Sequence, residues 1–252
     1  MQKQINLIIN GKGGVGKSFF ATNFVQYLKD EQVPHVAIDT DNENSTLKRF
    51  HPNARFVNLA NLRELDELVA AVESASLVVV DCRAASTDLF LNYFTELTVF
   101  DVLQSLGAAL TVVSPVNHDL DSVEQIKIIA KAFDNRCQYL VVKNHGLTEH
   151  FTIYDTSKTR KRLLNELAAK EMTMPKLHDW LVALLHQANL PVGQGIQYQK
   201  FSLMDRQRLK NWQRQFHEQI NTVRQIILPA CAAPGQSTNK SPEIILPFTS
   251  VI

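Results

Sequence analysis

The most informative part of the chain is INGKGGVGKSFFATN, residues 9–23. Its residues 11–18 match the Walker A pattern, which is a glycine, any four residues, and then Gly-Lys-Ser. The apolar run INLII at residues 5–9 predicts a buried strand before the loop, and residues 17–29 predict a helix after it. Glycines let backbone N–H groups turn inward, and a helix N-terminus carries partial positive charge. The stretch therefore predicts a phosphate-binding loop.

Individual side chains of the loop have separate expected roles. Lys17 is expected to neutralise the β- and γ-phosphates of a nucleotide, and the Ser18 hydroxyl is expected to bind Mg²⁺. A metal-holding acid follows from SLVVVD (76–81), because the strand that it predicts ends in Asp81. The alternative is that Asp81 caps the next helix. The expected cofactors are ATP or ADP with Mg²⁺, and the predicted nucleotide-binding residues of the loop are Gly11, Lys12, Gly13, Gly14, Val15, Gly16, Lys17, Ser18 and Phe19.

Strand-like and helix-like segments alternate through the first 150 residues. Helical spacing of apolar residues appears at 61–72 and 122–133. Apolar runs predict strands at 5–9, 35–39, 76–81, 108–115 and 138–144, with a further short strand at 54–59. This alternation predicts an α/β fold with a mainly parallel, twisted sheet and helices on both faces.

The last third of the chain is predicted to be helical. Helices are expected at 156–170, 176–187 and 204–228, and the last of these has an amphipathic stripe. Trp180 and Trp212 lie on apolar faces and are expected in the core.

The predicted organisation is one domain, residues 1–228. Its motif-bearing core spans residues 4–170, and its helical, basic part spans 156–228. Residues 229–252 predict a linker-like tail, whose apolar end either docks back onto the domain or stays free.

Lys12, the first lysine of KGGVGKS, is a cation beyond the one that the Walker A pattern requires. The segment resembles the deviant Walker A loop of the ParA/MinD family, which are P-loop ATPases of the SIMIBI type. The resemblance implies that Lys12 reaches across an ATP-dependent homodimer to the phosphates bound by the partner subunit. A cation supplied in this way acts like an arginine finger in trans. The resemblance implies ATP hydrolysis, with Lys12 and Lys17 as catalytic residues. Slow hydrolysis is expected, because slow turnover suits a switch better than a metabolic enzyme.

Two further segments resemble family motifs. VAIDTDNENS (36–45) resembles the segment with two aspartates two residues apart. The resemblance implies that Asp41 orients the attacking water and that Asp39 supports the loop lysines and Mg²⁺; the alternative is a polar strand end with Asx turns. VVKNHG (141–146) resembles the late strand after which an asparagine, here Asn144, reads the adenine edge through its amide.

A finer resemblance concerns the branch of the family. GKGGVGKSF, AIDTD, VVKN and YDTSKTR resemble segments of the conjugation- and plasmid-associated ParA-like proteins, which include TraL-like and StbB-like members. One segment departs from the family. Many members follow the Walker B aspartate with a glycine or proline, whereas DCRAAS (81–86) has neither. Since a glycine there would let a backbone N–H approach the γ-phosphate, its absence predicts weak hydrolysis.

The charge is distributed unevenly along the chain. Residues 1–150 carry 13 Lys and Arg against 18 Asp and Glu, a net of −5, and residues 151–252 carry 13 against 7, a net of +6. By resemblance, the basic part implies DNA binding without sequence preference. The alternatives are an ordinary solvated helix face and a membrane-surface helix. The candidate DNA-binding residues are Lys158, Arg160, Lys161, Arg206, Arg208 and Lys210.

Three classes of function remain after these observations. The first is a ParA-like switch that binds ATP and Mg²⁺, dimerises face to face, and positions plasmid DNA, a transfer complex or another cargo with a stimulating protein partner. The second is a weakly hydrolysing or non-hydrolysing, nucleotide-gated adaptor at a membrane or protein assembly, as in MinD. The third, a small-molecule P-loop enzyme, is disfavoured by Lys12 and by the lack of an obvious substrate domain.

Composition limits the setting of the protein. The three cysteines are far apart and form no CxxC pair, which indicates reduced thiols rather than a zinc or iron–sulfur site. No apolar run approaches the roughly 20 residues that cross a bilayer, so no stable membrane insertion is expected. The expected location is the bacterial cytoplasm, with transient association with the nucleoid or the membrane.

Overall fold

A computed structural model describes residues 2–230, apart from the side chain of Leu62, and in that part of the chain seven strands form one sheet. Every pair of neighbouring strands is parallel, and the strand order is β3-β2-β4-β1-β5-β6-β7. The strands are β1 (Lys3–Ile8), β2 (Val36–Asp39), β3 (Arg55–Phe56), β4 (Leu77–Asp81), β5 (Ala108–Val116), β6 (Gln138–Asn144) and β7 (Lys170–Met174).

Helices connect the strands and form the C-terminal part. They are α1 (Lys17–Asp30), α2 (Thr46–Phe50), α3 (Leu62–Ser74), α4 (Thr87–Glu96), α5 (Val99–Ser105), α6 (Leu120–Phe133), α7 (Thr152–Asp155), α8 (Lys158–Asn165), α9 (Asp179–Ala188), α10 (Val192–Gln197), α11 (Leu203–Thr222) and α12 (Arg224–Ile227). The predicted α/β fold, with a parallel sheet and a largely helical C-terminal part, is confirmed.

The sheet is buried on both faces, as its near-continuous apolar strands require. In β4, Val78 and Val80 pack into one core with residues of α3–α6 and α8. Leu77 and Val79 point the other way, into a second core with residues of α1 and α9–α12. Successive side chains of a strand alternate between faces, so one short run of valines and leucines serves both cores.

The topology brings three loops together. β1 lies between β4 and β5, and the chain order reverses on either side of it. In open parallel sheets a crevice forms at such a point, beyond the carboxyl ends of the strands. The loops that follow β1, β2 and β4 all reach this edge, and they contain the Walker A residues, the Asp39–Asp41 pair and the DCRAAS segment.

The helix expected at 156–170 is wrong at its C-terminal end. α8 ends at Asn165, because Ala168 adopts a left-handed φ of 50° and the Ala169 N–H donates to the Leu163 carbonyl at 2.9 Å. Glycine usually takes this position of a helix end, so the sequence carried no stop signal. The chain then forms β7, which the sequence did not predict. β7 is an edge strand in which only Met172 and Met174 are buried, so it lacks a continuous apolar run.

Two other expectations for the C-terminal part change. The helix expected at 204–228 is interrupted at Val223, where φ is −117° and ψ is 8°, so that α11 and α12 are separate. Trp212 is buried as expected, but Trp180 is 50% exposed and stacks on His178, so its placement in the core is wrong. The predicted tail 229–252 lies outside the described residues beyond Ala230, and the domain limits stay a prediction.

Candidate nucleotide-binding site

The Walker A loop has the backbone shape that its glycines allow. Gly14 and Gly16 have positive φ angles of 74° and 101°, and α1 begins directly after Gly16. A Cβ atom on Gly16 would lie 2.4 Å from the Asn144 amide nitrogen, and one on Gly11 would lie 2.1 Å from the side chain of Gln125. Both conformation and space therefore exclude larger residues at Gly16. The loop surrounds the N-terminus of α1, where an anion is stabilised.

A residue that the motif does not include anchors the loop. Asn10 is fully buried, and its amide nitrogen donates to the carbonyls of Pro115, at 3.0 Å, and Ser122, at 2.9 Å. Its amide oxygen accepts a bond of 3.0 Å from the Lys12 N–H. Asn10 thus joins the loop to β5 and α6. Sequence reasoning missed it, and the only available signal was a polar residue between an apolar strand and Gly11.

The two loop lysines occupy different environments. Lys17 is buried, and its Nζ donates to the carbonyls of Asn10 at 2.8 Å and Lys12 at 2.9 Å. Burial lowers the pKa of Lys17, against the opposing charge of Asp81. Lys12 is instead partly exposed and lies against the start of α6, where its Nζ is 3.1 Å from Asp121 and 3.6 Å from Asp119. The hydrogen bond with Asp121 raises the pKa of Lys12, with a smaller contribution from Asp119.

Asp81 carries the clearest sign that a cation belongs in this site. It is buried at the end of β4, and neither carboxylate oxygen has a hydrogen-bond partner among the described residues. Burial, with the charge of Asp39, raises the pKa of Asp81 to about 8, although the nearby Ser18 hydroxyl lowers it. A buried carboxyl group without partners is costly, and a metal ion would compensate it.

The described residues contain no group of three or more His, Cys, Asp or Glu side chains that could hold a metal alone. Magnesium does not need one, because it binds through one or two carboxylates together with phosphates and waters. Asp81 and Ser18 therefore fit a Mg²⁺ ion that shares its ligands with a nucleotide.

Asp39 and Asp41 shape the loop after β2. The two oxygens of Asp39 accept backbone N–H bonds from Asp41 and Lys48, each at 2.9 Å. Asp41 accepts from the N–H groups of Glu43 at 2.9 Å and Asn44 at 3.2 Å. The Asx turns considered from the sequence are therefore present. Asp39 fixes the loop through backbone bonds, whereas Asp41 also lines the cavity, and the metal and catalytic roles of this pair stay predictions.

Asn144 lies directly behind the loop. Its amide nitrogen donates to the Val15 carbonyl at 2.9 Å, and its amide oxygen accepts from the Gly146 N–H at 3.0 Å. In this arrangement Asn144 holds the Walker A loop against the end of β6. Recognition of a base by Asn144 stays a prediction, because it lies outside the lining of the cavity that contains the other loop residues.

A cavity of about 350 Å³ opens on the N-terminus of α1. The Walker A loop and the start of α1 contribute one part of its lining, and Asp41 and Asn44 contribute another. Arg83 and Ala84 from the loop after β4 also line it, as do Leu190 and Pro191, which precede α10, and Val192, its first residue. Arg83 is the second residue that sequence reasoning missed, because the DCRAAS segment was interpreted only through its lack of glycine and proline.

The candidate DNA-binding residues do not form one continuous surface on a single face of the sheet. α8 packs through Leu163 into one core and α11 through Leu209 into the other. Arg160 is bound to Glu171 through two contacts of 2.7 and 3.0 Å, and Arg208 lies 3.6 Å from Asp205. Exposed positions are occupied by Lys158, Lys161, Arg208 and Lys210, while Arg206 is half-buried. DNA binding stays a prediction.

The fold and the site together define a P-loop nucleotide-binding protein. The family model for the CobQ/CobB/MinD/ParA nucleotide-binding domain matches residues 7–221, so the chain belongs to this family. The family resemblance inferred from the sequence is confirmed.

Similar proteins cover nearly the whole domain. The chain is 29% identical over 241 residues to a protein TraL from Escherichia coli, covering 87% of this chain and 98% of that one. It is 26% identical over 229 residues to protein MobD from Acidithiobacillus ferrooxidans, covering 88% and 99%. Among solved structures it resembles the septum site-determining protein MinD, complexed with Mg-ADP, from Pyrococcus horikoshii, with a TM-score of 0.50, 14% identity, and coverage of 84% and 95%. This last likeness concerns the fold alone.

No helix within residues 2–230 is long and apolar enough to cross a membrane.

Proposed function

We propose that this protein is an ATP-dependent molecular switch. It binds ATP with Mg²⁺, dimerises face to face, and returns to the monomer after slow hydrolysis. Its output is the positioning or recruitment of a cargo associated with plasmid DNA or its transfer. The TraL and MobD relatives, which span nearly the whole domain, support this kind of cargo over a metabolic substrate.

The observation that carries the proposal is the separation of the two lysines. Lys17 is buried inside its own loop, where a phosphate can replace the two carbonyls that it now contacts. Lys12 is partly exposed and lies against the start of α6, and within residues 2–230 its ammonium group is paired with Asp119 and Asp121. Such surface ion pairs contribute little, so Lys12 is readily transferred to another anion. In a face-to-face dimer that anion is the nucleotide of the partner subunit.

The metal and water sites follow from the acidic residues. Mg²⁺, when bound, neutralises phosphate charge, and the orphaned carboxylate of Asp81 with the Ser18 hydroxyl would hold it. Asp39 keeps the following loop in place through its two backbone bonds. Asp41, on the lining of the cavity, is the residue we assign to orienting the attacking water.

Dimerisation would also strengthen the binding of DNA by the basic helices. Of the six candidate residues, Arg160 and Arg208 lie in ion pairs, and Lys158 and Lys161 on α8 and Lys210 on α11 are exposed, which is a small footprint for phosphates. Two subunits would double it. We therefore propose salt-dependent DNA binding by the ATP-bound dimer, and we expect Lys158→Gln with Lys161→Gln to weaken it. A gel shift that is unchanged by this double substitution at low salt would exclude the α8 lysines.

Oligomeric state as a function of nucleotide tests the proposed switch. Light scattering on a size-exclusion column is run with ADP and with a non-hydrolysable ATP analogue, each with Mg²⁺. The wild type is expected to be a dimer only with the analogue. Lys17→Ala is expected to lose nucleotide binding, and Lys12→Ala is expected to bind nucleotide but remain a monomer. Lys127→Ala, which removes an exposed lysine of α6, is the matched control. A wild type that is a monomer with every nucleotide would contradict the proposal.

A further inference from the structure

Hydrogen bonds of its own backbone N–H and carbonyl groups hold Arg83 in place. Its N–H donates to the Thr40 hydroxyl at 3.1 Å, and its carbonyl accepts from the Ser86 hydroxyl at 2.8 Å. Thr40 in turn is bonded to the Asp81 carbonyl through its N–H at 3.1 Å and its hydroxyl at 3.0 Å. The loops after β2 and β4 are thus joined at Arg83, which comes two residues after Asp81.

The guanidinium of Arg83 is poorly satisfied. An arginine has five N–H donors, and here the head group has one long bond, 3.4 Å from Nη1 to the Asn42 side-chain oxygen. Its Nε is buried and has no hydrogen-bond partner within residues 2–230, and in the same part of the chain no carboxylate lies within ion-pair distance of the head group. The buried Nε–H is costly while it lacks an acceptor, and the half-buried head group has further donors that an anion in the cavity could engage.

The place of Arg83 indicates which anion this is. Arg83 is one of the residues that line the same cavity as Gly13, Lys17 and Ser18, where a nucleotide's phosphates would lie. It stands on the wall formed by the loops after β2 and β4, next to Asn42 and the Asp41 turn. Lys17 and the N–H groups of the Walker A loop are expected to contact the β- and γ-phosphates from the side of α1. The γ-phosphate, at the end of the chain of phosphates, still has oxygens that these groups do not cover. The cation on the other loops is therefore left for the terminal phosphate.

We propose that Arg83 binds the γ-phosphate of the nucleotide held by its own subunit and makes the site prefer a triphosphate to a diphosphate. This inference rests on the proposed function. The planar fork of the guanidinium suits two phosphate oxygens at once. It takes the place of the backbone N–H that a glycine in this loop would present. When Arg83 leaves Asn42 and binds the phosphate, the contact between the loops after β2 and β4 changes. The arrangement of these two loops would therefore depend on whether the third phosphate is present.

The test measures equilibrium binding rather than hydrolysis. Titration calorimetry gives the dissociation constants of Mg-ADP and of a Mg-bound, non-hydrolysable ATP analogue for Arg83→Gln and Arg83→Lys. All variants also carry Lys12→Ala, so that dimerisation does not contribute to affinity. Arg63→Gln, an exposed arginine on α3, is the matched control.

Arg83→Gln is expected to weaken binding of the ATP analogue roughly 10- to 100-fold, the range for one charge-assisted contact, and to change the ADP constant less than about twofold. Arg83→Lys, which keeps the charge but not the fork, is expected to give an intermediate loss. Equal losses for the two nucleotides, or no loss for either, would overturn the proposal for Arg83. Failure of the wild type to bind either nucleotide would refute the proposed function itself.

Discussion

Replacing Asp81 with asparagine should change how the stability of the nucleotide-free protein depends on pH. The carboxyl group is buried, without hydrogen-bond partners, and near Asp39, and its pKa is raised to about 8. In the unfolded chain its pKa is 3.8. Between these values the unfolded state has released the proton that the folded state keeps. The free energy of unfolding therefore falls as pH rises from 3.8 to 8 and levels off above 8.

The magnitude follows from the same two values. Between pH 5.5 and pH 8.5 the folded state keeps the proton over about 2.5 pH units, up to its pKa. At 1.36 kcal/mol per unit, the free energy of unfolding of the wild type falls by roughly 3 kcal/mol. Asparagine has no such dependence. Its amide adds an unsatisfied buried group that costs about 1–3 kcal/mol, but this cost is the same at every pH. The difference in stability between Asp81→Asn and the wild type should thus shift by roughly 3 kcal/mol in favour of the variant.

The assay is urea unfolding in EDTA at pH 5.5 and 8.5, with Asp88→Asn as the control, since Asp88 is exposed on α4. The control should run parallel to the wild type. With Mg²⁺ and nucleotide present, the advantage of Asp81→Asn should disappear, because the wild type gains a compensated, ionised carboxylate and the variant does not. If the free energies of unfolding of Asp81→Asn and the wild type changed equally with pH, the assignment of Asp81 as a buried, uncompensated carboxyl group that binds a cation would be wrong.

Three further predictions concern the surroundings of the site. His51 donates to the Thr22 carbonyl and accepts from Lys29, and burial lowers its pKa from 6.5 to about 4, so stability present above pH 6.5 is lost as pH falls towards 4. In urea unfolding, the free energy of unfolding of His51→Gln should fall by roughly 3 kcal/mol less than that of the wild type between pH 7 and pH 4. An equal fall in both proteins would contradict this prediction. Gly11→Ala should displace Gln125 from its 2.8 Å bond with Thr87 and weaken nucleotide binding in a fluorescence titration. Adding Gln125→Ala should restore part of the affinity, and strictly additive losses would count against this contact. Asp121→Asn should remove the shorter of the two ion pairs of Lys12 and lower, by no more than a few-fold, the ATP-analogue concentration at half-dimerisation in light scattering. A higher concentration would show that Asp121 supports the dimer.

Much of the fold could be predicted because its signals are local. The strands β4 and β6 contain uninterrupted apolar runs, the run in β1 is broken only by Asn6, and the Walker A loop lies between a strand and a helix as its pattern requires. β7 could not be found in this way, because an edge strand with two buried methionines resembles the polar sequence around it. The end of α8 was hidden for a related reason, since Ala168 adopts the left-handed conformation that glycine usually signals.

The candidate site was predictable where the chemistry lies in a motif. Lys12, Lys17, Ser18 and Asp81 could be named from spacing and resemblance. Asn10 and Arg83 could not, because their roles depend on distant partners: Asn10 reaches residues more than 100 positions away, and Arg83 meets a loop about 40 positions earlier. Their importance becomes visible only when the parallel sheet brings its loops to one edge.

Mixing two inactive variants tests most directly whether Lys12 serves the nucleotide of the partner subunit. Lys12→Ala keeps a nucleotide site but has no lysine to donate, and Lys17→Ala keeps Lys12 but cannot bind nucleotide. If Lys12 acts in trans, a mixed dimer contains one complete site, and ATP hydrolysis should appear on mixing and saturate as the Lys17→Ala protein is added in excess. If mixing yields no more hydrolysis than the two variants measured separately, while the wild type hydrolyses ATP, Lys12 does not act across the dimer and the central claim is wrong.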